Sequence, residues 1–441
     1  MTEAHPYIPL TDDDRAAMLD VIGARATADL FADIPPEHFR PPLDLPDPLS
    51  ELALLDDMRA LGAQNRTAAD YACFLGAGAY RHFRPSIVDP LVMRGEFLTS
   101  YTPYQPEVSQ GTLQTIFEFQ SLICALTGMD VANAGMYDGA SALAEACLMA
   151  CAVTGRRRIA LSDRVHPNWL GVVRTYARGR GITVDVQPHA EFALTDEHAC
   201  LAVQQPDFYG RMSVAAAAWG ETAHDAGALF IVAADPVSLG LYRPPGDYGA
   251  DIVVAEGQSL GVPLSFGGPY VGLFACRKAF VRQMPGRIVG RTTDLEGRTG
   301  YVLTLQTREQ HIRRERATSN ICTSQQLIAL AASVYLAALG PKGLRRVAEL
   351  CYDKAHELAD RIDALPGYSV ERDEPFFHEF VVRTPKPAPA INHALIVRNI
   401  IGGLDVTDLL HDRMLLCATE TNTRAEIDAL VEALAEIGAT R

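Results

Sequence analysis

The sequence predicts an α/β fold, a mainly parallel sheet covered on both faces, followed by a smaller α+β domain. Three observations carry this. Short apolar runs at 158–161, 182–186, 200–203, 229–233, 252–255 and 271–275 have the composition of strands buried on both faces. Helical patterns at 168–178 and 213–225 fall between them, and strand–helix alternation marks parallel crossovers. From residue 323 the order becomes helix, strand, helix, as in a separate α+β layer.

Each element follows from its residues. A short helix is expected over 12–22, and then six prolines (35, 36, 41, 42, 46 and 48) exclude helix or central strand from 34–48. Residues 1–70 are therefore expected to form an arm that wraps its own body or a partner. The α/β domain is expected to occupy 71–322 and the small domain 323–441. Thr323-Ser-Gln-Gln326 has a capping-box pattern opening a helix that stops at Gly340-Pro341. A second helix carries Leu344, Val347, Cys351, Leu358, Ile362 and Leu365 as one stripe. Strands are expected at 376–382 and 414–418, and a last helix is capped by Thr423 with Glu426 three residues on.

Composition excludes several function classes. The net charge of −15 over 441 residues opposes nucleic-acid binding, which needs a basic footprint. Nine cysteines show only Cys147 and Cys151 at close helical spacing, as expected of buried thiols in a reduced compartment. Twelve histidines form no pair at zinc spacing, so no metal is expected. The first residues lack a basic segment followed by an apolar run, and the most apolar stretch, 327–339, is too short to span a bilayer. A cytoplasmic protein without a membrane partner is the expectation.

Four constellations have chemical potential. Gln258 follows the apolar strand Ile252-Val-Val-Ala-Glu256 on a short loop, beyond the strand's carboxyl end, where ligands of parallel sheets sit. A lysine there would be a buried amine nucleophile of the kind that anchors pyridoxal phosphate, whereas glutamine has no such amine. The chain's four lysines (278, 342, 354 and 386) all lie outside that slot. Asp235 ends the strand before it and has the charge to hold a pyridine nitrogen protonated; capping the next turn is the commoner role. Asp138-Gly139 opens an Ala-rich helix, whose N-terminus is a ready phosphate site. The Asp138 carboxylate is placed to cap that helix itself and to oppose a phosphate.

The third constellation, Tyr101-Thr-Pro-Tyr104-Gln105-Pro-Glu107, spaces aromatic and amide groups with two prolines on a stiff loop. It suits a neighbour or a small polar ligand, and equally a surface patch of tyrosine packed on proline. The fourth, around Arg308, His311, Arg313, Arg314 and Arg316, is either an anion-recognising cluster or a solvated face laced with Glu309 and Glu315.

Several runs resemble one family. Phe74-Leu-Gly-Ala-Gly-Ala-Tyr80, the Tyr101–Glu107 loop, Gly128-Met-Asp-Val-Ala-Asn133 and Tyr137-Asp-Gly-Ala140 look like the amino-terminal half of the glycine decarboxylase P-protein. So do Gln258-Ser-Leu-Gly-Val-Pro263, Pro285-Gly-Arg-Ile-Val289, Thr307-Arg-Glu-Gln-His-Ile-Arg-Arg314 and Ala317-Thr-Ser-Asn-Ile-Cys-Thr323. Arg316, where lysine is usual, and Tyr270, where histidine is common, depart from the pattern. The length resembles the separate first subunit of the two-subunit bacterial enzyme.

The resemblance implies a fold type I pyridoxal-phosphate-transferase architecture, with the cofactor held by the second subunit and not by this chain. It implies two copies of each subunit, glycine as substrate, and the lipoyl arm of H-protein as acceptor. Asp138, Gly139, Asp235 and Gln258 then become vestigial cofactor positions. Tyr101, Tyr104, Gln105, Arg308, His311 and Arg313 become candidates for a shared active site or lipoyl tunnel. A pure scaffold and a self-sufficient lyase are the rival expectations.

Overall fold

The computed structural model describes residues 7–439. By contact density the chain divides into Met1–Arg66 and Thr67–Arg441. The first unit holds helix α1 (Asp12–Ile22), capped by Thr11, and helix α2 (Glu51–Gly62), capped by Ser50.

The second unit is organised by a seven-stranded sheet. In chain order its strands are β1 (Val131–Ala132), β2 (Arg158–Ser162), β3 (Thr183–Gln187), β4 (His198–Gln205), β5 (Leu229–Ala234), β6 (Ile252–Glu256) and β7 (Gly272–Cys276). The spatial order is β1-β7-β6-β5-β4-β2-β3. β3, β2, β4, β5 and β6 pair in parallel, while β7 runs antiparallel to both β6 and β1. Helices α3 (Gln110–Thr127), α4 (Gly139–Thr154), α5 (Pro167–Arg178) and α6 (Ala216–Asp225) accompany it. Two apolar cores result, one containing Phe119, Trp219, Phe230 and Tyr335, the other Leu143, Cys147, Val173 and Phe274. Burial on both faces explains why these strands are continuous apolar runs.

Helix α7 (Gln326–Asp363) ties this sheet to the carboxyl-terminal layer. It opens without a side-chain cap, so the expected Thr323 capping box is not formed. It breaks where expected, at Gly340 (φ 60°), just before Pro341. Among the described residues it is the one helix long and apolar enough to cross a membrane. Its apolar positions are nevertheless spent inside the protein: Ala329 to Leu336 pack in the large core, and Ala355 to Ile362 in the carboxyl-terminal one. Thus residues 67–441 form one compact unit across position 322.

An antiparallel hairpin with no counterpart in the expected elements joins β8 (Ile288–Thr293) to β9 (Thr299–Thr304). The carboxyl-terminal sheet has four antiparallel strands, β10 (Ser369–Val370), β11 (Glu379–Arg383), β12 (Leu404–Asp405) and β13 (Arg413–Cys417), in the order β10-β11-β13-β12, of which β11 and β13 are the two strands expected. Helices α8 (Ala388–Ile396) and α9 (Arg424–Ala439) complete that layer. The Thr423–Glu426 cap is present: Thr423 N donates to Glu426 at 2.6 Å and Glu426 N to Thr423 Oγ1 at 3.2 Å.

Candidate functional site

The carboxyl ends of β5 and β6 face a strap, residues 74–83, that runs across the unit. The strap is tied to the carboxyl-terminal layer at both ends. Ala72–Cys73 pairs in parallel with Ile400–Ile401, and Phe83 N donates to Glu420 Oε1 at 2.6 Å. In the middle, Tyr80 meets Gln258. The Gln258 amide accepts from Tyr80 N (2.8 Å) and donates to Tyr80 O (2.9 Å) and Val262 O (2.8 Å). With 1% exposure and three hydrogen bonds, Gln258 is a staple between strap and loop. Glutamine suits this work because one side chain both donates and accepts.

The other vestigial positions are likewise used within the chain. Asp138 caps α4 through Ser141 N at 2.7 Å. The free amide of Gly139 donates to Glu256 Oε2 at 2.9 Å, so a carboxyl group sits at the helix end where a phosphate would go. Burial, more than the neighbouring Asp138, raises the Glu256 carboxyl to about 8. A Cβ at Gly139 would strike the Trp169 ring and Glu256 N. Asp235 caps its own turn through Val237 N at 2.8 Å, and its other oxygen lies 3.3 Å from His378 Nε2. Burial raises Asp235, and burial with His82 lowers His378 well below the usual imidazole range, so that ring is neutral. Glu379 closes the opposite wall. It accepts from Ala77 N (2.5 Å) and Tyr80 Oη (2.7 Å), and burial carries it up to about 7 despite both bonds.

What remains is a cavity of about 40 Å³. That is room for a few waters, not for a pyridine ring with its phosphate. The residues present do not fit pyridoxal phosphate. Nearby, His82 Nδ1 lies 2.7 Å from Glu420 Oε2, and Cys351 Sγ donates to that same oxygen at 3.3 Å. Burial alone would raise Glu420, but the hydrogen bonds, led by that of His82, hold it below the usual carboxylate range. Sequence spacing cannot detect this trio, because the fold assembles it from three distant segments.

A second cleft, of about 220 Å³, shares no lining residue with the first. Tyr101 (74% exposed) and Thr102 form its rim, with Arg287 and Gln326 in the wall. Here two of the sequence constellations meet. Buried Arg287 donates to Tyr104 Oη at 2.9 Å, and its guanidinium lies 5.4 Å from the Tyr104 ring centre. Glu309 Oε2 lies 3.4 Å from Arg287 Nε and 3.5 Å from His311 Nδ1, while His311 and Tyr104 meet edge to face at 5.6 Å. Gln105 is exposed beside them.

The arginine cluster divides. Arg308 is buried and spends its guanidinium on the carbonyls of Leu305, Met284 and Gly286. It braces the turn that carries Arg287, with all three of its guanidinium nitrogens engaged on backbone carbonyls. Arg313 is exposed, with Nε on Thr307 O at 3.0 Å, outside the residues lining this cleft. Arg287, Glu256 and Glu379 were not singled out from sequence, and Glu309 was read only as part of a solvated face. Arg287 and Glu256 lay within quoted runs, but their partners Tyr104 and Gly139 are far along the chain.

This sheet, with its ligand cleft at the carboxyl ends, is that of the fold type I pyridoxal-phosphate enzymes. Two distant structures share the fold: a sphingosine-1-phosphate lyase from Burkholderia pseudomallei (17% identity, TM-score 0.63, 91% of this chain and 94% of that one) and a glutamate decarboxylase from Lactobacillus brevis (13%, TM-score 0.65, 94% and 98%). Within that class the chain belongs to the glycine cleavage system P-protein family, whose profile matches residues 5–434. It is 54% identical to the probable glycine dehydrogenase (decarboxylating) subunit 1 of Thermomicrobium roseum, over 98% of this chain and 99% of that protein. It is 50% identical to the protein of the same name from Desulfitobacterium hafniense, with the same coverage. A crystal structure of glycine decarboxylase (P-protein) of the glycine cleavage system, in inhibitor-bound form, superposes with a TM-score of 0.92 at 47% identity, covering 98% of this chain and all of that one.

Proposed function

We propose that this chain is the subunit of a cytoplasmic glycine decarboxylase that does not hold the cofactor. A second subunit carries the pyridoxal phosphate on its own lysine, and two copies of each chain form the enzyme. Glycine is decarboxylated there, and its aminomethyl group passes to the lipoyl arm of H-protein. The cofactor supplies the electron sink for losing CO2. The observation that carries this reading is the cleft at the carboxyl ends of β5 and β6. Gln258 and Glu256 hold strap and helix together where a lysine and a phosphate would be needed.

This chain's own contribution is the second cleft. Arg287 fixes Tyr104 through one hydrogen bond and its charge, and Arg308 fixes the turn below. Tyr101 at the rim, with Tyr104 beside it on Arg287, offers an apolar face with a polar tip, suited to guiding an extended arm or keeping water from the reacting carbon. The test is exchange of labelled CO2 into glycine. The chain alone is expected to give none, the second subunit alone little, and the two together full exchange that depends on H-protein or lipoate. Exchange by this chain alone would overturn the proposal. Light scattering of the mixture is expected to give the mass of two copies of each chain, and any other mass would overturn that stoichiometry.

A further inference from the structure

The described residues of the first unit have helices but no core. Among residues 7–66 no side chain is buried, and only Leu19, Ala24, Phe39 and Ala53 are half-buried. Helices α1 and α2, of 11 and 12 residues, are of a length that is marginal alone in water. Yet α2 carries Leu54, Leu55, Met58 and Leu61, at i, i+1, i+4 and i+7, the spacing of a stripe made to be covered. All four are between 45% and 57% exposed. Leu30, Phe31, Leu43, Leu45 and Leu49 are open as well. Open apolar surface on this scale marks an interaction site.

Charge narrows the partner. The arm holds twelve acidic against five basic residues, a net −7, and the rest of the chain carries −8. Docking the arm on a second copy of this chain would set acid against acid. A different chain, with an apolar groove bordered by lysine and arginine, satisfies stripe and charge together.

We infer that residues 7–66 are a docking arm whose α2 stripe seats in a basic-rimmed apolar groove of a different polypeptide. Resting on the function proposed above, that polypeptide is the cofactor-bearing second subunit. The six prolines of the link fix φ at their positions, which lowers the entropy lost on docking.

The experiment uses the full chain, wild type and the double variant L55D/M58D, with the second subunit of the same organism. Association is followed by calorimetry, and the arm by hydrogen exchange. The wild type is expected to bind with an affinity that falls as salt rises, and α2 amides to gain protection in the complex. The variant is expected to bind about thirtyfold more weakly or worse, as when a hot spot is lost. Its melting temperature alone should match the wild type, since both positions are open. Equal binding by variant and wild type, without protection in α2, would overturn the arm assignment and leave the heteromeric reading intact. A wild-type chain that self-associates through the arm, shown by a dimer the variant dissolves, would overturn the choice of partner. A wild-type chain that does not bind the second subunit at any salt would overturn both.

Discussion

The two clefts of the second unit contrast in how their polar groups are spent. In the cleft beyond β5 and β6, Gln258, Glu256, Asp235 and Glu379 all bond to groups of the same chain, leaving about 40 Å³. In the other, Tyr104 is held from below by Arg287, and Tyr101 and Gln105 stay open beside about 220 Å³. Most polar groups of the narrow cleft are engaged by the protein's own backbone and side chains, as their burial favours, while Asp235 Oδ2, Ser259 Oγ and His378 Nδ1 keep no hydrogen-bond partner. Residues kept open on a stiff, internally braced loop bear no such load. The contrast predicts that substitutions in the closed cleft act on stability, and those at the open rim on turnover.

The largest effect should come from Gln258→Ala. It strands both backbone groups of Tyr80 and the carbonyl of Val262 in a buried place, at about 1–3 kcal/mol for each group left unsatisfied. Urea denaturation of the chain should show a loss of about 3–5 kcal/mol, while enzyme assembled from the surviving folded chain turns over normally. Arg308→Ala, which frees three carbonyls, should likewise register in denaturation first. A stable Gln258→Ala chain giving a dead enzyme would break the comparison.

Next comes the pH dependence carried by Glu256. Its folded value of about 8 lies above the unfolded carboxylate range. Its contribution is therefore fully present below about pH 4.3 and is lost as pH rises toward 8. Glu379, raised to about 7, works in the same direction. Glu256→Gln removes the charge and keeps an acceptor for Gly139 N but turns the other accepting oxygen, which serves Gln258 N and Val271 N, into a donor; it should start less stable than the wild type at acid pH and gain on it by a few kcal/mol between pH 5 and 8. Urea midpoints across that range check this; parallel curves would remove Glu256 from the closed cleft's energetics.

Beside the open rim, Tyr104→Ala, which removes the group bonded to the lining residue Arg287, should cost the chain only about 1 kcal/mol yet lower turnover about tenfold or more. If the rim guides the lipoyl arm, the reaction with H-protein should fall further than that with free lipoate. If it shields glycine, CO2 exchange should fall with both acceptors. Near-normal rates with both would return the loop to a scaffold. The smallest effect belongs to Arg313→Ala: one exposed hydrogen bond, and a stability change within about 0.5 kcal/mol by thermal melting.

How far the sequence carries depends on the range of the interaction. Six of the seven strands of the large sheet were legible because burial on both faces writes them as apolar runs; β1, two residues long, is too short to leave one. The hairpin β8–β9 was not, since its half-exposed residues mix arginine, glycine and threonine. Gln258, Asp138 and Asp235 were legible through local strand-end and helix-start positions, and the last two do cap their own turns. Glu256 escaped because its partner amide, Gly139, lies 117 residues away; the strap escaped because Tyr80 meets Gln258 across 178. Arg308 looked like an anion binder because guanidinium composition does not reveal that carbonyls consume it.

The central claim, that this chain's cleft takes no cofactor, is tested most directly by borohydride reduction of the assembled enzyme and mass spectrometry of each chain. A pyridoxyl adduct is expected on the second subunit alone, one per pair of chains, and Gln258→Lys by itself should add none here because Glu256 still holds the helix end. A pyridoxyl-lysine on the wild-type chain would contradict it.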